Sequence, residues 1–362
     1  MEFTTDYQQI LQKVEEVEPI EYGKTRNFID GAVTKLSPYI SRGVISTKYV
    51  FEQTLNRGFD VKEIERFVQE LAWRDYWQQV WIAKGNAINQ DLRQPQQDVS
   101  NEKLPSAIIQ ANTSIDAIDT GIQDLYEIGY MHNHVRMYTA SVACNVAKSH
   151  WYLPAKWMYY HLLDGDWASN ALSWQWVAGA NAGKKYVANQ ENINKYCYSD
   201  QKDTFLDVPY EQLPPKDVPD DLKELFLPEL STNLPTSDNL KLDKNLPTYI
   251  FNWYNLDPQW APETGCNKIL VLEPSVFKQY PIADKSIDFM MQLGKNIQNL
   301  QIFTGEFSDL VNQFELEDIH FKEHPLNANY KGTVHPRDWM FKVTGYFPSF
   351  FAFWKKCKKE LS

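Results

Sequence analysis

The stretch Asp164-Gly165-Asp166-Trp167-Ala168-Ser169-Asn170 decides how this chain is interpreted, together with Trp174-Gln175-Trp176 just after it. Asp-Gly-Asp alone is typical of a solvated turn. Three further motifs precede it, however. In chain order they are Thr34-Lys35-Leu36-Ser37-Pro38-Tyr39-Ile40-Ser41-Arg42-Gly43, Glu70-Leu71-Ala72-Trp73-Arg74 and Met131-His132-Asn133-His134-Val135-Arg136-Met137. Four motifs in this order over roughly residues 20–200 are hard to explain by chance.

Composition sets the first limits on the fold. A chain of 362 residues has room for two domains and a large core. Its 12 Trp, 20 Tyr and 19 Phe are suited to burying large rings and to stacking on planar ligands. The cysteines are scattered, so neither a disulfide framework nor a metal site is predicted. They are Cys144, Cys197, Cys266 and Cys357.

Charge and hydropathy limit the partners. The net charge is −11, from 36 basic and 47 acidic residues, and no basic run is longer than the group Lys355-Lys356 and Lys358-Lys359 near the end. Binding a DNA duplex tightly needs several cations that neutralise phosphates, so this balance argues against it. The sequence shows neither a charged-then-apolar leader nor an apolar run of membrane-spanning length. We therefore expect a cytoplasmic protein without a membrane partner.

The periodicity of the sequence changes twice along the chain. Residues 1–202 read as a mainly helical domain, in which residues 64–82 form an amphipathic helix with a stripe of large side chains. Residues 203–247 are rich in proline and acids, which predicts an extended connector. Residues 248–362 alternate strand and helix patterns and predict a small α/β unit with a C-terminal helix. Its predicted strands are 268–272, 300–305 and 319–322, and its predicted helices are 284–297 and 308–314.

In order and spacing, the four motifs resemble the FAD-binding helical domain of the photolyase/cryptochrome family. The resemblance implies a mainly α fold, with a helical FAD-binding domain followed by the small α/β unit. It also implies non-covalent FAD in a bent conformation, in a short form of the family that lacks the N-terminal antenna domain. Residues 248–362 faintly resemble the middle of that antenna domain. A structural cap on the helical domain is the alternative reading.

The resemblance also implies which residues bind the cofactor. Thr34 to Ser37 correspond to the phosphate-binding turn, where Lys35 replaces an arginine and should bind with looser geometry. Read alone, Thr34 and Ser37 would be helix caps, and Arg136 with Asp164 would be a structural buried ion pair. The full implied set is Tyr22, Thr34, Lys35, Leu36, Ser37, Glu70, Arg74, Asn133, Arg136, Asp164, Asp166 and Asn170.

Three positions carry the implied chemistry of electron transfer. Asn170 corresponds to the residue that faces the reducible ring nitrogen, and its neutral amide favours the fully reduced, electron-donating flavin. Trp174 and Trp151 correspond to the inner and middle members of a tryptophan relay. No aromatic residue lies between Ile82 and Leu125, where the outer member should be. The relay therefore stops at two members or leaves through Trp157 or Tyr152, and core packing is the alternative for each tryptophan.

A substrate pocket is implied by a last group of residues. Trp73 and Trp176 could stack on bases, and Glu70 could bond to a pyrimidine edge and stabilise the radical anion. His134 replaces an arginine that would contact phosphate, and Ala171-Leu172-Ser173 replace a run rich in Asn and Gly. Both changes weaken the expected binding to DNA. The implied pocket residues are Glu70, Trp73, Asn133, Met137 and Trp176.

Three hypotheses about function follow. The first is a blue-light-driven, FAD-dependent photolyase-like lyase that splits pyrimidine dimers in damaged DNA, with single strands preferred. Its implied catalytic residues are Glu70, Asn170, Trp174 and Trp151. The second is a cryptochrome-like blue-light receptor or redox sensor that acts on a protein partner and repairs nothing. The third is a flavin-stabilised scaffold without photochemistry.

Overall fold

The computed structural model describes residues 3–181 and 183–361. The chain divides into two compact units, which are described separately below. We call Met1–Ile20, Thr34–Ala83 and Ser231–Ser362 the sheet unit, and Glu21–Val33 with Lys84–Leu230 the helical unit. The domain limits predicted at residues 202 and 248 do not coincide with this division. Thr34–Ala83 groups with the sheet, and the helical unit extends to Leu230.

The described chain contains seven β-strands. Five of them, β3 to β7, form one parallel sheet in the order β5-β4-β3-β6-β7, and β1 pairs with β2 antiparallel in the helical unit. The strands are β1 (Leu104–Pro105), β2 (Leu225–Phe226), β3 (Thr248–Phe251), β4 (Asn267–Leu272), β5 (Leu300–Thr304), β6 (Ile319–Lys322) and β7 (Thr333–His335).

Buried apolar runs explain where the sheet forms. All six residues of β4 are buried, as expected for an inner strand of a parallel sheet that is covered on both faces. The strands predicted at 268–272, 300–305 and 319–322 are confirmed as β4, β5 and β6. The prediction missed the central strand β3, where four residues after Pro247 are too short a run to be distinctive. It also missed the short strand β7, whose first two residues are exposed.

The described chain contains fifteen α-helices. Those that begin in the sheet unit are α1 (Tyr7–Glu15), α2 (Pro19–Thr25, which crosses into the helical unit), α3 (Ser37–Ser41), α4 (Thr47–Asn56), α5 (Glu65–Lys84), α12 (Pro274–Gln279), α13 (Asp284–Gly294), α14 (Phe307–Phe314) and α15 (Phe350–Cys357). The helical unit adds α6 (Ser106–Ile109), α7 (Asp116–Ile128), α8 (Asn133–Ser141), α9 (Tyr152–His161), α10 (Trp167–Ala178) and α11 (Gln190–Cys197). The fold is mainly α with a small α/β unit, as predicted.

Specific residues fix the helix ends that matter for the site. Asp166 caps the start of α10, and Gly179, in the left-handed conformation at φ 82°, ends it. Gly129 ends α7 at φ 71°, and a Cβ there would lie 2.6 Å from the side chain of Leu163. Another residue at this position would be strained by the left-handed backbone and would have to displace the side chain of Leu163.

Residues 203–247, predicted as a connector, contain two 3₁₀ turns (Tyr210–Gln212 and Asp220–Leu222) and the two-residue strand β2. Their first part belongs to the helical unit and their last part to the sheet unit. In the described part of the chain, no helix is both long and apolar enough to span a membrane.

Candidate functional site

The Asp-Gly-Asp stretch forms a tight turn that leads into α10. A Cβ on Gly165 would lie 3.0 Å from the carbonyl oxygen of Leu162 and 3.1 Å from that of Tyr159, so only glycine fits without displacing backbone. Asp166 Oδ1 accepts a hydrogen bond from the backbone N–H of Ser169 at 2.7 Å. The turn therefore places two buried carboxylates, Asp164 and Asp166, at the start of one helix.

Arg136 and Asp164 form the pair that the sequence predicts. Arg136 Nη2 lies 3.0 Å from both carboxylate oxygens of Asp164, whose side chain is 4 % exposed. Arg136 Nε also donates to the carbonyl oxygen of Met131 at 2.8 Å, which fixes the guanidinium against the start of α8. The charge of Asp164 is thereby compensated within the helical unit, as a buried carboxylate requires.

A tyrosine lies beside this ion pair. The Arg136 guanidinium carbon is 5.4 Å from the ring centroid of Tyr130. Burial raises the pKa of Tyr130 to about 12, with Arg136 lowering it and Asp164 raising it. Tyr130 is therefore a neutral phenol at physiological pH, so the local charge comes from the ion pair and Asp166.

The first turn of α10 carries two polar side chains with different surroundings. Asn170 Nδ2 donates to the carbonyl oxygen of Ala155 on α9 at 2.8 Å, which fixes the orientation of its amide. Ser169 Oγ is buried and has no hydrogen-bond partner within the described chain. A buried hydroxyl without a partner is costly, so a polar ligand or an ordered water is expected there. The sequence analysis did not select Ser169.

The remaining predicted residues of the helical unit differ in exposure. Asn133 is exposed, and Met137 and Tyr22 are half-buried. Trp176 is 39 % exposed and lies beside Tyr186, with ring centroids 5.8 Å apart. Trp176 therefore presents an accessible aromatic surface, as stacking on a base requires.

His134, which stands where an arginine was expected, is buried. Its Nδ1 lies 2.9 Å from the carbonyl oxygen of Asn27, and its ring stacks on Tyr138 at 4.6 Å. Because a carbonyl oxygen only accepts, Nδ1 carries the hydrogen. Burial lowers the pKa of His134, so the side chain is neutral near pH 7 and acts in packing.

The two tryptophans of the implied relay are both buried. Trp174 is 3 % exposed and Trp151 is fully buried. The ring of Trp151 contacts the ring of Tyr152 at 5.5 Å, and Tyr152 in turn contacts Trp167 at 5.9 Å. Trp157 instead contacts Tyr126, at 6.2 Å. Of the two exits that the sequence left open, Tyr152 is the one that touches Trp151.

The sheet unit holds the implied phosphate-binding turn. Thr34 Oγ1 accepts from the backbone N–H of Leu36 at 3.3 Å, and Lys35 adopts a left-handed backbone with φ 53°. Leu36, the residue before α3, makes no side-chain capping bond, so neither predicted cap is formed on that helix. Arg74 Nη2 donates to the carbonyl oxygen of Ser37 at 3.2 Å and to the hydroxyl of Ser41. Arg74 thus fastens this turn to α5.

Trp73, predicted to stack on a base, already stacks on a protein ring. Its ring centroid lies 3.8 Å from that of Phe350 on α15, and the planes are 11° from parallel. Trp77 also packs against Trp73 at 5.0 Å. One face of Trp73 is therefore covered within the sheet unit. Glu70, one turn earlier on α5, is half-buried.

A buried acid that the sequence analysis missed lies next to these residues on α5. Asp75 accepts hydrogen bonds from the Thr47 hydroxyl at 2.8 Å and the Met340 backbone N–H at 2.9 Å. Burial raises its pKa to about 6 despite these bonds, which lower it. Asp75 thus links α5 to the segment before α15. In the sequence, the only sign of this role is the position of Asp75 next to Arg74 on the predicted helix.

The helical unit holds a varied set of polar side chains around the start of α10. The set combines one cation, two buried carboxylates, an amide and an unpartnered hydroxyl. In the described residues, no group of three or more His, Cys, Asp or Glu side chains is arranged to hold a metal ion.

Comparisons with known proteins agree with this chemistry. Residues 67–207 match the family described as the FAD binding domain of DNA photolyase. The chain is 29% identical over 148 residues to a deoxyribodipyrimidine photo-lyase from Alkalihalophilus pseudofirmus, covering 40% of this chain and 31% of that protein. It is 31% identical over 170 residues to cryptochrome DASH from Danio rerio, covering 44% and 32% respectively.

Among solved structures, a bacterial class III photolyase from Agrobacterium tumefaciens is similar with a TM-score of 0.46 and 26% identity, covering 52% of this chain and 42% of that one. The chain spans about a third of the length of the two curated relatives above. The matched segment is thus a flavin-binding helical domain with FAD as its cofactor. Residues 67–207 are therefore similar to the FAD binding domain of photolyases and to cryptochrome DASH.

Proposed function

We propose that this protein is a photolyase-like, FAD-dependent lyase that uses blue light to split pyrimidine dimers in damaged DNA. When bound, FAD supplies the light-absorbing electron donor. The observation that carries the proposal is the Arg136–Asp164 pair beside Asp166 and the unpartnered hydroxyl of Ser169. This group lies inside the segment that matches the FAD binding domain of DNA photolyase.

Within the helical unit, different residues would contact the cofactor in different ways. Arg136 supplies a fixed positive charge, since Asp164 and the Met131 carbonyl hold its guanidinium in place. Asp166 and Ser169 offer an acceptor and a hydroxyl at the start of α10. Asn170 presents a neutral amide, which does not repel an anionic ring as a carboxylate would. The roles of Tyr22, Asn133 and the sheet-unit residues Thr34 to Ser37, Glu70 and Arg74 stay predictions from the resemblance.

Electron supply to the site is assigned to the tryptophans. Trp174 and Trp151 would pass electrons inward, and the contact between Trp151 and Tyr152 supports Tyr152 as the exit. For the substrate, Trp176 is the accessible stacking residue, and Met137 is the half-buried apolar residue of the proposed pocket. Trp73 can offer one ring face, since Phe350 covers the other.

The test is light-dependent repair by the purified chain carrying reduced FAD. Single-stranded and duplex oligonucleotides with a cyclobutane dimer would be mixed with the protein, and restored pyrimidine absorbance measured in blue light and in darkness. Repair in light only, faster on single strands, supports the proposal. No repair by the illuminated, fully reduced protein overturns it. Trp174→Phe should abolish photoreduction but retain FAD, which separates a photochemical protein from a scaffold.

A cryptochrome-like light receptor or redox sensor with a protein partner is the second candidate. The covered face of Trp73 and the net charge of −11 favour it, since both weaken binding to DNA. It predicts photoreduction in the wild-type protein without dimer binding. Limited proteolysis in darkness and in light would then show a segment whose cleavage changes with illumination.

A further inference from the structure

The indole of Trp151 is hydrogen-bonded to a carboxylate. Trp151 Nε1 donates to Asp91 Oδ1 at 2.7 Å, and the tryptophan is fully buried. Two other buried tryptophans of the helical unit donate their indole hydrogens to neutral acceptors. Trp167 donates to the amide oxygen of Asn89 at 2.7 Å, and Trp157 to the hydroxyl of Tyr126 at 3.1 Å. The charged acceptor therefore distinguishes Trp151 from its neighbours.

The loop that carries Asp91 is fastened to Trp151 by a buried glutamine. The backbone N–H of Gln96 donates to Asp91 Oδ2 at 2.9 Å, while Gln96 Oε1 accepts from the backbone N–H of Trp151 at 2.9 Å. Gln96 Nε2 donates to the carbonyl oxygen of Ser149 at 2.9 Å. These bonds fix the carboxylate relative to the indole, so the hydrogen bond between Asp91 and Trp151 has a defined geometry.

His150 completes the surroundings of the carboxylate. The Tyr152 backbone N–H donates to His150 Nδ1 at 3.4 Å, so in the neutral ring the hydrogen lies on Nε2. That Nε2 is 3.3 Å from Asp91 Oδ1, and both side chains are partly exposed, at 27% and 22%. Asp91 is therefore oriented by His150 and can exchange a proton with solvent, although Trp151 cannot.

We propose that Asp91 is the base that takes the indole proton of Trp151 when Trp151 loses an electron. The proposal rests on the proposed function, in which Trp151 reduces oxidised Trp174. The electron passes from Trp151 to Trp174; the Nε1–H bond of Trp151 breaks and an O–H bond forms on Asp91. The products are reduced Trp174, a neutral indolyl radical and a carboxylic acid, and the total charge is conserved.

Two physical reasons support this step. An oxidised indole is far more acidic than a neutral one, and a base must lie within about 2.6–3.2 Å to accept its proton directly. Asp91 meets this requirement, and its negative charge also stabilises the positive charge that oxidation creates. Return of the electron must then be accompanied by return of the proton. Proton transfer to Asp91 therefore lengthens the lifetime of the charge-separated state.

The experiment is time-resolved absorption on the FAD-loaded full chain, which distinguishes protonated from deprotonated tryptophanyl radicals. Asp91→Asn keeps the size and the acceptor oxygen but removes the base. Asp98→Asn is the matched control, because it removes an equal charge from an exposed carboxylate paired with Lys185. We expect the deprotonated radical in the wild type and the control, formed more slowly in D₂O. In Asp91→Asn its formation should slow about a hundredfold, the lower end of the effect of a positioned base.

The outcomes distinguish a failure of the inference about Asp91 from a failure of the proposed tryptophan relay. If Asp91→Asn forms the deprotonated radical as fast as wild type, Asp91 is not the base and the inference is overturned. If the wild type forms no tryptophanyl radical under light, the proposed relay itself fails. Should Asp91→Asn not fold, the wild type decides: a radical that stays protonated, with no D₂O effect, overturns the inference. Indole ¹H–¹⁵N spectra in darkness report folding, since the Trp167 signal should not move in the variant.

Discussion

The ring of Phe350 lies parallel to the ring of Trp73, with centroids 3.8 Å apart and planes 11° from parallel. Phe350 is 2 % exposed, whereas its neighbour Phe351 is 67 % exposed. Phe350→Ala should lower the free energy of unfolding by about 3–5 kcal/mol, the range for removing a buried phenylalanine. Urea denaturation measures this. Phe351→Ala is the control and should change it by less than about 0.5 kcal/mol; equal effects would show that the stacking contributes little.

Arg136 protects a buried charge, which gives a second prediction. Arg136→Met leaves Asp164 without its ion pair and should lower the free energy of unfolding by about 3 kcal/mol. FAD content after purification should fall as well, since the fixed cation is lost. Lys24→Met breaks the exposed pair with Glu21 and should cost less than about 1 kcal/mol. The role of Arg136 would be refuted by a variant as stable and as FAD-rich as Lys24→Met.

The pH dependence of stability should identify Asp75. Its pKa in the folded protein is raised to about 6 from an ordinary value of 3.8. The folded state therefore holds this proton more tightly than the unfolded state. The resulting stabilisation is complete below the unfolded pKa and is lost as the pH rises through about 6, by roughly 3 kcal/mol.

Asp75→Asn should remove this dependence, as measured by urea denaturation between pH 4 and pH 7. The informative quantity is the difference in unfolding free energy between wild type and variant, followed against pH. Gln78→Ala is the control, because it removes the contact with Arg337 from the same helix but no titratable group. A wild-type minus Asp75→Asn difference that stays flat with pH would contradict the burial argument.

The unpartnered hydroxyl of Ser169 gives a prediction about the cofactor. Ser169→Ala should weaken FAD binding about fivefold, which corresponds to one hydrogen bond of about 1 kcal/mol. Ser173→Ala, on the exposed side of the same helix, should leave the affinity unchanged. Fluorescence titration of the FAD-free protein measures both. Unchanged affinity in Ser169→Ala would assign the hydroxyl to an ordered water.

Much of the architecture was predictable from local sequence. Strands β4, β5 and β6 follow from short apolar runs between polar turns, and α5 follows from the amphipathic pattern of residues 64–82. The pair of Arg136 and Asp164 was predictable from the resemblance, because the motif brings both residues with it. The central strand β3 was not, since four residues beside a proline carry too little pattern.

The sequence by itself determined the order of the motifs, the main helices and three strands, because these depend on neighbours within one or two turns of the chain. The tertiary structure decided that residues 34–83 group with the sheet, that Phe350 covers Trp73, and that Asp91 lies against Trp151. Those contacts join residues 60 to 277 positions apart. No local periodicity records which distant side chains will meet, because burial of the whole core selects them.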